Sequence, residues 1–230
     1  MDRKFYAVIV AAGSGVRLGS SVPKQFLDLE GRPVLRRTME RFLEAVPDVR
    51  LVVVLPRDWE DYWKQQCIES NFNVPQIVSR GGITRFHSVQ AALAKVPDGA
   101  VVAVHDGVRP LVSPALIRRM RERMADRRAL IPVIPVADTL KVLRKEGEEL
   151  VAVEGRSIDR SEAYAAQTPQ MFLSEELKAA YTQPYDPSFT DDASVAARYG
   201  IPLSFVEGER YNLKITTVQD LEVAKKLVLL

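Results

Sequence analysis

An apolar run from Phe5 to Val10 ends directly in Ala11-Ala12-Gly13-Ser14-Gly15-Val16-Arg17-Leu18-Gly19, with Pro23-Lys24-Gln25 just beyond. Such a run reads as a strand buried on both faces, which commits the chain to a layered fold. Small residues straight after the strand let backbone N–H groups approach a phosphate closely, with two fixed cations beside it. A Walker A loop needs G-x-x-x-x-G-K-[ST], but Gly19 is followed by Ser20 and Ser21 with no lysine. A dinucleotide fingerprint needs G-x-G-x-x-G, but here the third glycine falls one place late and Arg17 occupies the interior. The loop therefore reads as one that holds a triphosphate and neutralises it. A glycine-rich turn with incidental charges is the competing reading, and it leaves the arginine and the Pro-Lys pair without a purpose.

Apolar runs alternate with helical patterns along nearly the whole chain. Strands are expected over residues 7–10, 51–55, 76–78, 101–104, 130–136 and 203–206. Helices are expected over 34–42, 59–70, 85–95, 114–124, 175–181, 193–199 and 218–228. This alternation predicts an α/β fold, a mostly parallel sheet flanked by helices on both faces. Ligands of such sheets bind at the carboxyl ends of the strands, which puts the loops after Val10 and Val104 on one rim. Residues 138–168 break the rhythm. Two short β-like runs, 139–143 and 150–153, flank the polar stretch Arg144-Lys145-Glu146-Gly147-Glu148-Glu149, predicting a projecting β-hairpin arm. An isolated hairpin is marginal in water, so the arm is expected to pack on something.

The 230 residues suffice for one large domain with a real core, and 47% apolar with 27% charged residues excludes disorder of the whole chain. A net charge of +2 gives no reason to expect nucleic acid or an anionic membrane as partner. One cysteine, Cys67, rules out an internal disulfide and fits a reducing compartment. The opening Met1-Asp2-Arg3-Lys4 and the apolar residues after it faintly imitate a secretory signal. That run is short and leads straight into the phosphate loop, so the expectation is a soluble cytoplasmic protein.

Three further clusters follow strand ends. In His105-Asp106-Gly107-Val108-Arg109-Pro110, Asp106 could help hold a nucleotide's magnesium, directly or through water, and Arg109 offers a planar fork for a phosphate. An Asp-Gly turn with a surface arginine is the alternative, and His105 itself reads as a structural hydrogen-bonder. In Ser79-Arg80-Gly81-Gly82-Ile83-Thr84-Arg85, with His87 and Ser88, the paired glycines allow close backbone approach to a base or ribose. Helix capping competes as the role of Thr84 and Ser88. In Asn212-Leu213-Lys214-Ile215-Thr216, Lys214 is either a site cation or an ordinary exposed lysine. The basic run from Arg118 to Arg128 is interrupted by Glu122 and Asp126 and reads as a solvated helix face, and Thr190-Asp191-Asp192 as a helix N-cap.

The ordered set A-A-G-x-G-x-R, P-K-Q, H-D-x-x-R-P, D-T-L-K, I-D-R, T-P-Q, T-D-D-A and N-L-K-I-T, running from Ala11 to Thr216, resembles the 2-C-methyl-D-erythritol 4-phosphate cytidylyltransferases. The resemblance implies a single Rossmann-like nucleotidyltransferase domain over residues 1–230, with a dimerisation arm at about 138–168. It implies transfer of CMP from CTP to a polyol phosphate, with Mg²⁺ accompanying the nucleotide, in a homodimer formed through the arm. Arg17 and Lys24 then match residues that stabilise the transition state, and Arg160 and Lys214 match those that position the substrate phosphate. Asp106, Arg109 and Thr139 match contacts to substrate or metal, and Ala11, Ala12, Gly13, Gly15, Gly82 and Ser88 match the CTP pocket. Tyr211 departs from the pattern, standing where relatives often carry an acid. A ribitol 5-phosphate cytidylyltransferase shares most of these motifs. A nucleotide-binding module without catalysis is the alternative from another class.

Overall fold

The apolar run becomes β1 (Phe5–Val10), five of whose six residues are buried. The structure is a computed structural model that describes residues 3–13 and 22–229. After β1 come a small corner, β2 (Asp28–Leu29) and β3 (Arg32–Pro33), and then α1 (Val34–Ala45), β4 (Arg50–Leu55), α2 (Glu60–Glu69), β5 (Gln76–Arg80), α3 (Arg85–Leu93), β6 (Val101–Asp106) and α4 (Pro114–Arg123). β1 pairs in parallel with β4 and β6, and β4 with β5. Local chemistry sets the helix starts. The Thr84 hydroxyl accepts from the His87 N–H, and Ser113 caps α4 with Pro114 in the first helical turn.

The second half is less regular. It contains β7 (Ala129–Pro135), β8 (Leu143–Glu146), β9 (Glu149–Ala152), β10 (Tyr164–Ala166), β11 (Gln170–Leu173), α5 (Ser174–Ala180), α6 (Asp192–Tyr199), β12 (Ser204–Glu207) and α7 (Val218–Val228). The main sheet runs β10-β7-β11-β6-β1-β4-β5, with β12 also pairing β7. β11 lies antiparallel between β6 and β7, and β10 pairs antiparallel with the far end of β7. One face of the sheet packs on α1 and α4 through Met39, Phe42, Ile117 and Met120. The other packs on α3, α5 and α6 through Phe86, Val89, Leu177 and Val195. Each such buried side chain contributes about 1.5–3 kcal/mol relative to exposure. A smaller cluster, with Val34, Val108, Ile215 and Leu221, docks α7 near the rim.

The α/β architecture and the alternating elements stand as expected. β10 and β11, however, went unread. Both are short, and β11 begins with the polar Gln170, so neither shows a strand period. The arm's β8 also begins later than expected. Residues 139–142 carry no strand, whereas Arg144–Glu146, read as turn, belong to β8. The turn is the tight pair Gly147-Glu148, with Gly147 at φ +60. Val136 N–H donates to the Ala163 carbonyl at 3.0 Å, which closes the base of the arm. The basic face of α4 points outward, as expected, and Leu116, Ile117 and Met120 point inward.

Candidate active site

Hydrogen bonds continue past the strand ends and set the rim. Ala11 N–H donates to the Val54 carbonyl at 2.9 Å, Gly81 N–H to Leu55 at 2.8 Å, and Gly107 N–H to Val10 at 2.8 Å. The segments cross so closely that side chains must be missing. A Cβ on Gly107 would lie 2.9 Å from the Ala11 Cβ, and one on Gly81 would run into the Ala12 Cβ. Small residues after β1 are thus required by packing as well as by any phosphate.

A cleft of about 420 Å³ opens on this rim. It brings together Ala11, Ala12, Gly13 and Lys24 from the first loop, Gly82 from the loop before α3, Arg85 and Ser88 from the first turns of α3, and Asp106 and Lys214. Gln25, which carried no assigned role, fastens the first loop: its Nε2 donates to the Ala11 carbonyl at 2.7 Å and the Gly13 carbonyl at 3.0 Å. Lys24 is held at the mouth by its Nζ donating to the Ile215 carbonyl at 3.1 Å. Ser88 Oγ accepts from Gly82 N–H at 3.0 Å and donates to the Thr84 carbonyl at 2.9 Å. Its hydroxyl therefore shapes the loop. Arg17 and Gly15 lie outside the described residues.

Asp106 is the electrostatic centre. Its Oδ2 lies 3.1 Å from Lys214 Nζ and 3.2 Å from Arg109 Nε, and Oδ1 lies 3.8 Å from Arg85 Nε. Burial works against its charge, but Arg85, Lys214 and Arg109 outweigh that and hold the carboxyl well below the usual range. Arg85 is in turn gripped by both oxygens of Asp192, at 3.0 and 2.6 Å, and the Tyr181 hydroxyl donates to Asp192 at 2.6 Å. Burial disfavours the Arg85 charge, yet Asp192 more than offsets it and raises the guanidinium pKa. Asp191, beside it, caps α6 as expected, with Ser194 completing a capping box. Asp192 does something the cap reading missed: it is fully buried in an ion pair with a residue 107 positions away.

Arg109 does not line the cleft. Its fork is spent on Asp106 and on the Asn212 carbonyl, 2.7 Å from Nη1. Thr139 and Arg160 stand on the exposed arm, where Arg160 Nη1 donates to the Ala137 carbonyl at 3.1 Å. No group of three His, Cys, Asp or Glu side chains among the described residues could cage a metal. Asp106 fits a divalent ion that arrives on a nucleotide, since among the described residues Arg85 Nε stands 3.8 Å from its Oδ1 and magnesium takes its other ligands from phosphate and water.

His105 is fully buried and is a structural hydrogen-bonder, as expected. Burial pushes its pKa down to about 4, against an ordinary 6.5. The unfolded chain takes up this proton near pH 6.5 and the folded chain only near pH 4, so stability falls with falling pH across that window. The expected loss is about 3 kcal/mol in total, at roughly 1.4 kcal/mol per pH unit. Urea unfolding of the wild type and His105→Asn from pH 7 to 4.5 checks this. Parallel pH dependences would rule it out.

Two lysines and a charge-neutralised aspartate beside a tight glycine and alanine loop suit a polyphosphate, and likeness to known proteins places the chain among the nucleotidyltransferases. The family model for 2-C-methyl-D-erythritol 4-phosphate cytidylyltransferase matches residues 5–229, and the chain belongs to this family. It is 46% identical over 222 residues to the enzyme of that name from Bacteroides fragilis, covering 96% of this chain and 98% of the relative. The Porphyromonas gingivalis relative is 44% identical, with 99% of each chain covered. Among solved structures, 4-diphosphocytidyl-2C-methyl-D-erythritol synthase from Anaerococcus prevotii superposes with a TM-score of 0.81 at 25% identity, with 100% of each chain covered. The Thermus thermophilus cytidylyltransferase gives 0.74 at 31%, also with 100% of each covered.

Proposed function

We propose that this chain transfers CMP from CTP to 2-C-methyl-D-erythritol 4-phosphate. The observation that carries the reading is the placement of Lys24 and Lys214 over one cleft with Asp106, in a chain of this family. The phosphate monoester oxygen forms a bond to the α-phosphorus of CTP, the bond from that phosphorus to the bridging oxygen breaks, and pyrophosphate leaves with the electron pair. The attacking group carries roughly −1.5 to −2 charges near neutrality, so two polyanions must meet. Lys24, Lys214 and Arg17 lower that repulsion, and preorganised cations stabilise the charge developing at phosphorus and leaving group. Bound Mg²⁺, held by Asp106 and the nucleotide, would supply further neutralisation. Ala11, Ala12, Gly13 and Gly82, all small, line the part of the cleft that receives CTP. Pyrophosphate release with CTP and either polyol phosphate tests the reading. Turnover should require the methylerythritol substrate, and a preference for ribitol 5-phosphate would overturn it.

The same reading makes the protein a cytoplasmic homodimer. No helix among the described residues is long and apolar enough to cross a membrane. Leu143, Leu150 and Ile158 expose large apolar surfaces on the arm, which suits packing against a second copy. Arg160 and Thr139, which do not line their own cleft, then serve the partner's. Homodimers of Arg17→Ala and of Arg160→Ala should each be nearly inactive. Mixed dimers hold one doubly lesioned and one intact site, so activity should return to about half per dimer. Mixed dimers as inactive as their parents would place Arg160 in its own subunit.

A further inference from the structure

A closed circuit of hydrogen bonds lies behind Asp106. His105 Nε2 lies 3.2 Å from the Arg109 carbonyl, which can only accept, so Nε2 carries the proton. Nδ1 must then accept, and it takes the Thr168 hydroxyl hydrogen at 3.0 Å. The Thr168 oxygen in turn accepts from the Asp106 N–H at 3.1 Å. From Arg109, Nη1 donates to the Asn212 carbonyl at 2.7 Å, and Asn212 Nδ2 donates to the Thr168 carbonyl at 2.8 Å. The ring runs Thr168, His105, Arg109, Asn212 and back to Thr168. It ties together the end of β6, the segment returning from the arm, and the segment that carries Lys214.

Asn212 Oδ1 is buried with no hydrogen-bond partner, alone in this among the side-chain atoms of the described residues. An unpaired buried acceptor is costly, so the position is held by an asparagine for the sake of its donor. Phe42 packs edge-on against the imidazole, with centroids 5.1 Å apart, and keeps the ring plane fixed.

We infer that His105 is a positioning residue for the transfer reaction, closing a four-residue ring that holds Asp106 and Arg109 in register with the arm and with Lys214. The inference rests on the proposed reaction, because the polyol phosphate is the ligand that meets Asp106 and Lys214. The ring sets Asp106 and the acceptor half of the site and leaves in place Ala12, Gly82 and Ser88, which line the nucleoside half.

Two measurements test it. In steady-state kinetics, His105→Phe and Thr168→Val should each lower kcat/KM for the polyol phosphate by about 10- to 100-fold, as expected of a misplaced positioning group. The Kd for CTP measured without a divalent metal should stay within about twofold, and Thr168→Ser should restore near wild-type values. The double variant should be no worse than either single, since both break one unit. Multiplying losses, or a parallel rise in the metal-free Kd for CTP, would overturn the inference. Separately, ¹⁵N-resolved NMR of the two histidines should show His105 as the Nε2–H tautomer in the wild type and in Thr168→Ser. An Nδ1–H tautomer would overturn the ring whatever the enzyme turns over. Absence of wild-type turnover with methylerythritol phosphate would instead refute the proposed reaction and leave the tautomer to decide the ring.

Discussion

Lys24→Ala is expected to lower kcat by about 10²–10³ while leaving the fold intact, the usual cost of removing one preorganised donor from a developing oxyanion. The side chain is half-buried at the cleft mouth and fills no core. Its backbone stays in place, because Gln25 next to it keeps both hydrogen bonds to the first loop. The loss should therefore fall on kcat, with a small change in the KM for CTP, and with circular dichroism and Tm near wild type. Arg17→Ala should behave alike. Turnover within a few-fold of wild type would remove Lys24 from the transition state and leave Lys214 and Arg85 as the described cations lining the cleft.

Asp192→Leu should destabilise the protein by about 3 kcal/mol, towards the lower end for breaking a buried ion pair because Arg85 keeps some contact with solvent. The substitution strands the Arg85 guanidinium and the Tyr181 hydroxyl at once. Arg85 would be left with Asp106 at 3.8 Å as its remaining charge partner, which disturbs the cleft as well as the core. Urea unfolding at constant m-value gives the number. The double variant Arg85→Met/Asp192→Leu should recover most of the stability, since replacing both charges removes the uncompensated one. A single variant as stable as wild type would show that the pair is not coupled to folding.

The fold was readable where backbone chemistry is local. Helix starts came out almost to the residue because Thr84, Ser113-Pro114 and Thr217 announce their caps. The buried parallel strands stood out as apolar runs. β11 did not, although it sits in the middle of the sheet, because four residues with a glutamine at the head carry no period. Arg144–Glu146 went unread as strand because β8 is solvated on both sides and has no apolar face to alternate. The site divides the same way. Asp106, at the very end of β6, is visible because topology puts strand ends on the rim, and Lys24 because the Pro-Lys pair follows the glycine-rich loop. Asp192 looked like a cap because its partner Arg85 is distant in the chain. Thr168 and Asn212 act through a hydroxyl, a side-chain amide and main-chain carbonyls whose partners are distant in the chain.

The crossing of Gly81 over Ala12 has a consequence for how such chains can change. The methyl group at position 12 and the one absent at position 81 claim the same space. The two positions are sterically one site with room for a single methyl, in a neighbourhood closed off by the Leu55 carbonyl and the Ser88 hydroxyl. A lineage could move that methyl from one loop to the other through a glycine–glycine intermediate, but never through a state in which both carry it. Drift here follows a fixed order of steps, and the history of one loop is written into the other.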